Sequence, residues 1–313
     1  MIIVEGLDAY RPCGRPVCLA LGTFDGVHLG HRAVIRTVCE AAAQEDGDAV
    51  VLTFDPHPLT IIAPPEAPFL LTTLEERVAL LAAMGVDMLV VVRFTEAVRQ
   101  MSAADWLDLL ADRIGPRRFV LSSTHAFGRD REGTPAFLEA WAARRRIGVT
   151  VVPPVTNAGT VISSTAIRDR LREGDVRTAG EWLGQWYSIR GTVVPGEGRG
   201  RRLGVPTANL LVPAEKVVPA RGVYAAYATA RGQTHRAAVN VGLRPTFGGD
   251  RLTVEAHLLD ADVDLYGQPL ELAFVERLRD ERRFDGVDAL KAQMAADIAR
   301  TREVLEIGNR LAK

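Results

Sequence analysis

The sequence predicts an α/β unit built on a parallel sheet, followed by a small antiparallel β-barrel and a terminal helix. Two patterns carry this reading. In the first half, short apolar runs alternate with helix-length segments, as in a parallel sheet with helices on both faces. After about residue 186 that alternation stops, glycine becomes frequent, and short runs of alternating polarity are separated by turn-forming pairs, as in a small barrel. The chain has 313 residues, 47% hydrophobic and 25% charged, which suffices for two ordinary domains with their own cores.

The elements follow in order. Val17–Leu21 reads as a strand, Arg32–Ala43 as a helix, Asp48–Phe54 as a strand, and Leu74–Met84 as a helix capped by Thr72 or Thr73. A valine-rich strand over Met88–Phe94, a helix over Ala103–Ile114 and a short strand over Arg118–Leu121 come next. A helix within Gly133–Arg146 and a strand over Val149–Pro153 complete the sheet. The barrel strands are expected at Tyr187–Val194, Gly222–Thr229, Thr234–Val241, Thr253–Leu259 and Pro269–Arg277, before an amphipathic helix over Gly286–Leu305. The boundary falls near Gly184–Tyr187, which gives units of residues 1–184 and 185–313.

Lys plus Arg number 38 and Asp plus Glu 39, a formal net charge of −1 that offers no electrostatic case for a nucleic-acid or membrane partner. The start, MIIVEGLDAYRP, lacks the basic segment and apolar core of a signal peptide. The longest apolar stretch, Val78–Val92, is interrupted by Gly85 and Asp87 and is too short to span a bilayer. Cys13, Cys18 and Cys39 fit no common zinc spacing and read as small hydrophobes or free thiols, which suits a reducing cytoplasm. A homo-oligomer is compatible with the sequence.

The segment Leu21-Gly-Thr-Phe-Asp-Gly-Val-His-Leu-Gly-His31 follows a strand and opens a helix. Gly22 and Gly26 allow a tight turn and close backbone approach. His28 and His31, around Gly30, share one face of the helix start, where free N–H groups already attract anions. Two imidazoles there suit attack on the α-phosphate of a nucleotide with loss of pyrophosphate. Two ordinary histidines beside a turn are the plain alternative, and the strand, the glycines and the helix together argue against it. Ser163, Ser164 and Thr165 head another helix in Ile162-Ser-Ser-Thr-Ala-Ile-Arg168 and offer hydroxyls and N–H groups to a phosphate, with Arg168 adding a fork. A simple helix cap explains the same residues, and both roles can coexist.

These motifs resemble the nucleotidyltransferase superfamily with the H-x-G-H signature, which implies a Rossmann-like fold. More closely, with Thr53-Phe-Asp-Pro-His-Pro58 and Leu71-Thr-Thr-Leu-Glu-Glu-Arg77, they resemble the FAD synthetase half of the bacterial bifunctional riboflavin kinase/FMN adenylyltransferase family. The resemblance implies that His28, His31, Ser164, Thr165 and Arg168, together with Gly22 and Asp25, handle ATP. One segment departs from the family's Gly-x-Asp/Asn-Phe-x-Phe-Gly pattern. Here it reads Ser122-Ser-Thr-His-Ala-Phe-Gly128, with Thr124 at the acidic or amide position and His125 at the aromatic one. Losing one charge-assisted hydrogen bond there would cost about 1.5–3 kcal/mol. Weakened or redirected adenylylation and a replacement donor from His125 both stay open.

The second half has no G-x-x-x-x-G-K-[ST] loop. Its candidate phosphate segment is Pro195-Gly-Glu-Gly-Arg-Gly-Arg-Arg-Leu-Gly-Val-Pro-Thr-Ala-Asn209. There Gly196, Gly198, Gly200 and Gly204 form a flap whose N–H groups can face phosphates, and Arg199, Arg201 and Arg202 add charge. Thr207 and Asn209 stand two apart on an extended segment, so both face one side and present hard oxygens suited to Mg²⁺. The Pro-Thr-Ala-Asn ending resembles the riboflavin kinase signature. The rest of that pattern follows in Val239–Phe247, Thr253–Asp260, Asp264–Gly267 and Arg279–Phe284. The resemblance implies that Glu255 is the base that takes the proton of the ribityl hydroxyl, and that Arg279, Phe284 and the last helix cover the flavin ring.

The reading favoured is an enzyme that phosphorylates riboflavin to FMN in its second unit and adenylylates FMN to FAD in its first, with ATP, Mg²⁺ and flavin as its small-molecule partners. Two alternatives stand beside it. One is a riboflavin kinase whose first unit is inactive or regulatory, and the other is a kinase joined to a transferase with a different acceptor.

Overall fold

The structure, a computed structural model, describes residues 1–62, 70–196, 198, 200, 203–246, 249–261, 263–282 and 284–308. By their contacts the residues divide into two compact units, Met1–Ser164 and Thr165–Lys313.

The first unit contains strands β1 (Ile2–Glu5), β2 (Val17–Leu21), β3 (Asp48–Phe54), β4 (Met88–Val92), β5 (Arg118–Ser122) and β6 (Gly148–Val152). They form one sheet in the order β1-β4-β3-β2-β5-β6, with every pair parallel. Helices α1 (Leu29–Gln44), α2 (Leu59–Ile62), α3 (Leu74–Ala83), α4 (Glu96–Gln100), α5 (Ala103–Arg113) and α6 (Pro135–Ala143) connect them, and β7 (Thr156–Asn157) and β8 (Thr160–Val161) form a small hairpin. The two-residue period of a strand sorts the side chains. Val17, Leu19, Leu21, Val50 and Leu52 pack on Trp106, Leu110, Leu138 and Trp141 of α5 and α6. Cys18, Ala20, Ala49 and Val51 pack on Val34, Ile35 and Val38 of α1 and Leu81 of α3. Both faces are covered, as continuous apolar strands demand. Cys18 is buried, Cys39 half-buried and Cys13 exposed, and all three thiols are free.

Helix starts follow the expected chemistry. Thr73 caps α3 in a reciprocal capping box with Glu76, and Ser102 and Thr134 cap α5 and α6. β1 was not expected, because its apolar residues Ile2 and Ile3 lie exposed on an edge strand that pairs on one side alone.

The second unit opens with α7 (Ser164–Glu173, whose first residue still belongs to the first unit) and α8 (Val176–Leu183), which Gly184 ends in the left-handed region. Strands β9 (Tyr187–Val194), β10 (Ala208–Leu211), β11 (Gly222–Ala230), β12 (Gln233–Thr246), β13 (Gly249–Leu258) and β14 (Pro269–Arg279) then close a barrel in the order β10-β13-β12-β11-β14-β9. All neighbours are antiparallel. Tyr187, Ile189, Leu210, Tyr224, Val239, Val254 and Phe274 are buried, with Tyr224 edge-on to Phe274 at 5.3 Å. The last helix, α9 (Val287–Gly308), lays Val304 and Leu305 on Ala225 and Val275. Arg279 ties its middle to β14 through a fork onto Asp297, with nitrogen–oxygen distances of 2.9, 3.2 and 2.7 Å.

β10 also escaped the sequence reading: at four residues it is short, and Leu210 alone of them is buried. It nonetheless closes the barrel between β9 and β13. Closure draws β9 and β10 so close that a Cβ on Gly191 would stand 2.3 Å from the Leu211 carbonyl oxygen. Gly191→Ala is therefore expected to destabilise the second unit by about 1–3 kcal/mol, the usual cost of overpacking. Denaturant unfolding followed by tryptophan fluorescence would show it as a lowered midpoint, and an unchanged midpoint would refute the close approach.

Candidate active sites

In the first unit the strand order reverses between β2 and β5. Open parallel sheets bind ligands outside the carboxyl ends of their strands at such a switch point. The turn after β2 holds Gly22–His31, and the turn after β5 holds Ser122–Gly128.

His28 caps α1. Its Nδ1 accepts the backbone N–H of His31 at 3.3 Å, which leaves Nε2 as the protonated nitrogen. The His28 and His31 rings stack with centroids 3.7 Å apart, and Phe24 meets His31 edge-on at 5.3 Å. Gly30 fits a tight space: a Cβ there would lie 3.1 Å from His28 Cε1, so the ring would have to give by a few tenths of an ångström. Gly22 likewise leaves room for the Phe24 ring, 3.0 Å from where its Cβ would stand. The turn itself is tight, with Phe24, Gly26 and Val27 at φ 50°, 84° and 42°.

Asp25 was expected at the nucleotide, and the structure buries it completely. Its carboxylate accepts the N–H groups of Leu71 and Thr72 and the Thr72 hydroxyl, at 2.9–3.2 Å. Thr72 in turn accepts the N–H of Gly26 at 2.9 Å. Asp25 thus fastens the turn from beneath by holding the Leu71–Thr72 segment. Arg77 lies behind it, 2% exposed, donating to Thr53 Oγ1 at 3.0 Å, and burial pulls its pKa down against the opposing pull of Asp25 and Asp55. Ser164 reaches the same turn, its Oγ donating to the Asp25 carbonyl at 2.9 Å. Thr165 follows in the first turn of α7, and Arg168 is buried on that helix.

In the turn after β5, Ser122 Oγ accepts the N–H of Thr124 and lies 3.0 Å from its hydroxyl. The His125 ring stacks on Phe127 with centroids 5.9 Å apart. Desolvation, then the nearby Arg131, push the His125 pKa from 6.5 down to about 4.

In the second unit, the barrel register does the assembly. Asn209 on β10 pairs with Glu255 on β13, and Glu255 with Asn240 on β12. Directly opposed residues share a face, so the three form one row across three strands. Thr207, two residues before Asn209, donates its hydroxyl to Glu255 Oε2 at 3.1 Å. The flap closes on this row. A Cβ on Gly196 would lie 2.1 Å from Asn209 Nδ2, and one on Gly200 2.3 Å from the Val205 oxygen and 3.3 Å from Thr207 Oγ1. Gly198 has a positive φ of 67°. The flap arginines Arg199, Arg201 and Arg202, with Phe247 and Arg283 of the later motifs, lie outside the described residues.

Arg279, expected at the flavin, commits its guanidinium to Asp297, and the Arg279 and Arg282 guanidinium groups stand 5.9 and 5.1 Å from the Phe284 ring centroid. Sequence reasoning missed Asn240 and Arg77. Asn240 was legible as a polar residue between the buried Val239 and Val241, and Arg77 gave no signal beyond its motif.

A switch-point turn with paired imidazoles and, on a separate barrel, a carboxylate beside a hydroxyl and an amide under a glycine flap define two phosphate-transfer units in one chain, a nucleotidyltransferase and a kinase. Residues 11–166 match the FAD synthetase family and residues 183–305 the riboflavin kinase family. The bifunctional riboflavin kinase/FMN adenylyltransferase of Listeria monocytogenes is 37% identical, with 91% of each chain covered. The Escherichia coli K12 protein of that name is 35% identical, with 97% of each covered. This chain belongs to the bifunctional riboflavin kinase/FMN adenylyltransferase family. A solved structure described as a macrolide-efflux protein from Streptococcus pneumoniae superimposes with a TM-score of 0.89 at 32% identity, covering 96% of this chain and 99% of that one. Efflux is said of that protein. Among the described residues here, no helix is long and apolar enough to cross a membrane.

His125 supplies a test of the first site's electrostatics. Its folded pKa of about 4 lies below the ordinary 6.5, so between those values the unfolded chain binds the extra proton. Stability conferred by the neutral ring is complete above pH 6.5 and declines as the pH falls toward 4. His125→Phe keeps an aromatic stack and is expected to lose less stability over that interval than the parent. An imidazole titration by NMR with its midpoint at or above 6.5 would contradict this.

Proposed function

We propose that Glu255, Thr207, Asn209 and the Gly196–Gly204 flap carry the kinase reaction, and that His28, His31 and Ser164, with Thr165 and Arg168 on α7, carry the adenylyl transfer. The observation that supports the kinase assignment best is the Thr207–Glu255 contact within the Asn209–Glu255–Asn240 row. It fixes a carboxylate beside the segment that meets the phosphates.

In the kinase unit the riboflavin 5′-hydroxyl attacks the γ-phosphorus of ATP, its proton passes to Glu255, and ADP leaves. The Thr207 hydroxyl orients the base by donating to it. Thr207 and Asn209 also fit Mg²⁺. The Thr207 proton points at Glu255 and leaves oxygen lone pairs for a cation, Asn209 adds an amide oxygen, and no group of three or more His, Cys, Asp or Glu among the described residues forms a protein cage for a metal. When bound, Mg²⁺ would neutralise phosphate charge. In the first unit, an FMN phosphate oxygen attacks the α-phosphorus of ATP and pyrophosphate leaves. His28 Nε2–H and the N–H groups at the start of α1 stabilise the charge that develops. Asp25 and Arg77 position that turn. Both half-reactions draw on ATP, and three free thiols suit a cytoplasmic location.

The tandem provides its own control. Glu255→Gln is expected to lower FMN formation by roughly 10²–10⁴-fold, while FAD formation from supplied FMN is unchanged. His28→Asn keeps a helix-capping oxygen and is expected to lower FAD formation by about 10²-fold or more, with FMN formation unchanged. Chromatography of products from riboflavin or FMN with ATP and Mg²⁺ reads both. Wild-type FMN formation in Glu255→Gln, or wild-type FAD formation in His28→Asn, would remove the respective assignment.

A further inference from the structure

Beside the kinase row lies a second carboxylate that the phosphate chemistry does not use. Moving two residues along the strands from Asn240–Glu255, the next opposed pair on the same face is Gly242–Thr253. The Glu281 side chain covers Gly242. A Cβ at residue 242 would stand 2.5 Å from Glu281 Oε1 and 3.1 Å from Asn240 Nδ2. Gly242 has no positive φ, so its backbone does not demand glycine. A Cβ there would push the Glu281 carboxylate aside; with glycine, the carboxylate lies against the face shared by Asn240 and Glu255.

The placement has a cause. Arg279, two residues earlier, is locked to Asp297 of α9, and Phe284, three residues later, has the Arg279 and Arg282 guanidinium groups near its ring. Glu281 lies on the short span between these anchors. It is exposed, and among the described residues its carboxylate makes no hydrogen bond or ion pair.

We infer that Glu281 is a substrate-positioning residue of the kinase site that accepts hydrogen bonds from the hydroxyls of the flavin's ribityl chain. This rests on the assignment of Glu255 as the base. The row then has a direction. Thr207, Asn209 and the flap mark the phosphate end on β10, Glu255 on β13 marks the attacking hydroxyl, and Asn240 on β12 with Glu281 above it lies on the side away from the flap. Strands are spaced by about 4.8 Å, so Asn209 and Asn240 lie roughly 10 Å apart, the scale of a phosphoryl group followed by a short polyol. Charge selects the ligand at the far end. A carboxylate repels phosphate oxygens and, beside an amide, accepts and orients vicinal hydroxyls.

The test is steady-state kinase kinetics of the full chain with Glu281→Gln, which keeps the shape and removes the charge. The riboflavin KM is expected to rise roughly ten- to a hundredfold, with the ATP KM and FAD formation from supplied FMN unchanged. Competitive inhibition by lumiflavin, which has the ring system without the ribityl chain, is expected to be the same in parent and variant. Gly242→Ala, which crowds the carboxylate, is expected to raise the riboflavin KM in the same direction. An unchanged riboflavin KM in Glu281→Gln, or an equal loss of lumiflavin inhibition, overturns the inference. If Glu255→Gln abolishes FMN formation and Glu281→Gln leaves the KM alone, the polyol role alone falls. If Glu255→Gln is fully active, the row is not the kinase site and both fall.

Discussion

Both sites share one spatial constraint: backbone approaches functional groups more closely than an ordinary Cβ contact allows. Gly22 faces Phe24, Gly30 faces His28, Gly196 faces Asn209, Gly200 faces the Val205 oxygen and Thr207, and Gly242 faces Glu281, each within 2.1–3.3 Å of where a Cβ would stand. None of these five glycines has a positive φ. Neither unit uses a lysine-bearing phosphate loop. Phosphates must then be met by backbone N–H groups and a few short side chains, and that is effective only where main chain and side chain pack without a gap. The glycines that do serve conformation, Gly26 and Gly198 at φ 84° and 67°, sit between these contact points and turn the chain from one to the next.

Such close packing needs rigid support, and the two units obtain it differently. In the first, a buried carboxylate holds the phosphate turn. Asp25 satisfies Leu71 N–H, Thr72 N–H and the Thr72 hydroxyl, and Thr72 closes the loop onto Gly26. A carboxylate removed from water is tolerable when donors surround it and a cation lies nearby, and the buried Arg77 guanidinium is that cation. In the second, support comes from sheet register. Barrel closure fixes Asn209, Glu255 and Asn240 relative to one another through backbone hydrogen bonds, and a slip of one residue would turn all three to the apolar interior.

Much of this was legible in the sequence because it rests on local periodicity. The strands at Val17–Leu21, Asp48–Phe54 and Tyr187–Val194 have the limits expected of them, since their apolar runs end at clear turn signals. The elements that escaped, β1, α2, α4, β7, β8, α8 and β10, are short or draw their stability from long-range pairing. Candidate residues stand out in the sequence where a motif is contiguous, as for His28, His31 and Thr207. Side chains that turn inward were harder to place. Asp25, expected at the nucleotide, is buried and holds the Leu71–Thr72 segment, and Arg279, expected at the flavin, forks onto Asp297 of α9. Asn240 meets Glu255 through register alone, with fourteen residues and a hairpin between them in the chain.

The turn after β5 shows how a departure in sequence can preserve the physics of a segment. The family pattern places an acid or amide and an aromatic ring where this chain has Thr124 and His125. The Ser122 hydroxyl accepts Thr124 N–H, so a side-chain oxygen holds this turn. His125 stacks on Phe127, so a ring still covers it. A pKa near 4 keeps that imidazole neutral at ordinary pH. It therefore adds no cation at the lip of the switch point and acts as an aromatic surface with one N–H to donate. The change exchanges a fixed acidic or amide acceptor for a hydroxyl and a ring donor while the turn, the stack and the absence of positive charge at this ring are retained. That is consistent with a first unit which keeps its imidazole pair, its anchored turn and its membership of the bifunctional family.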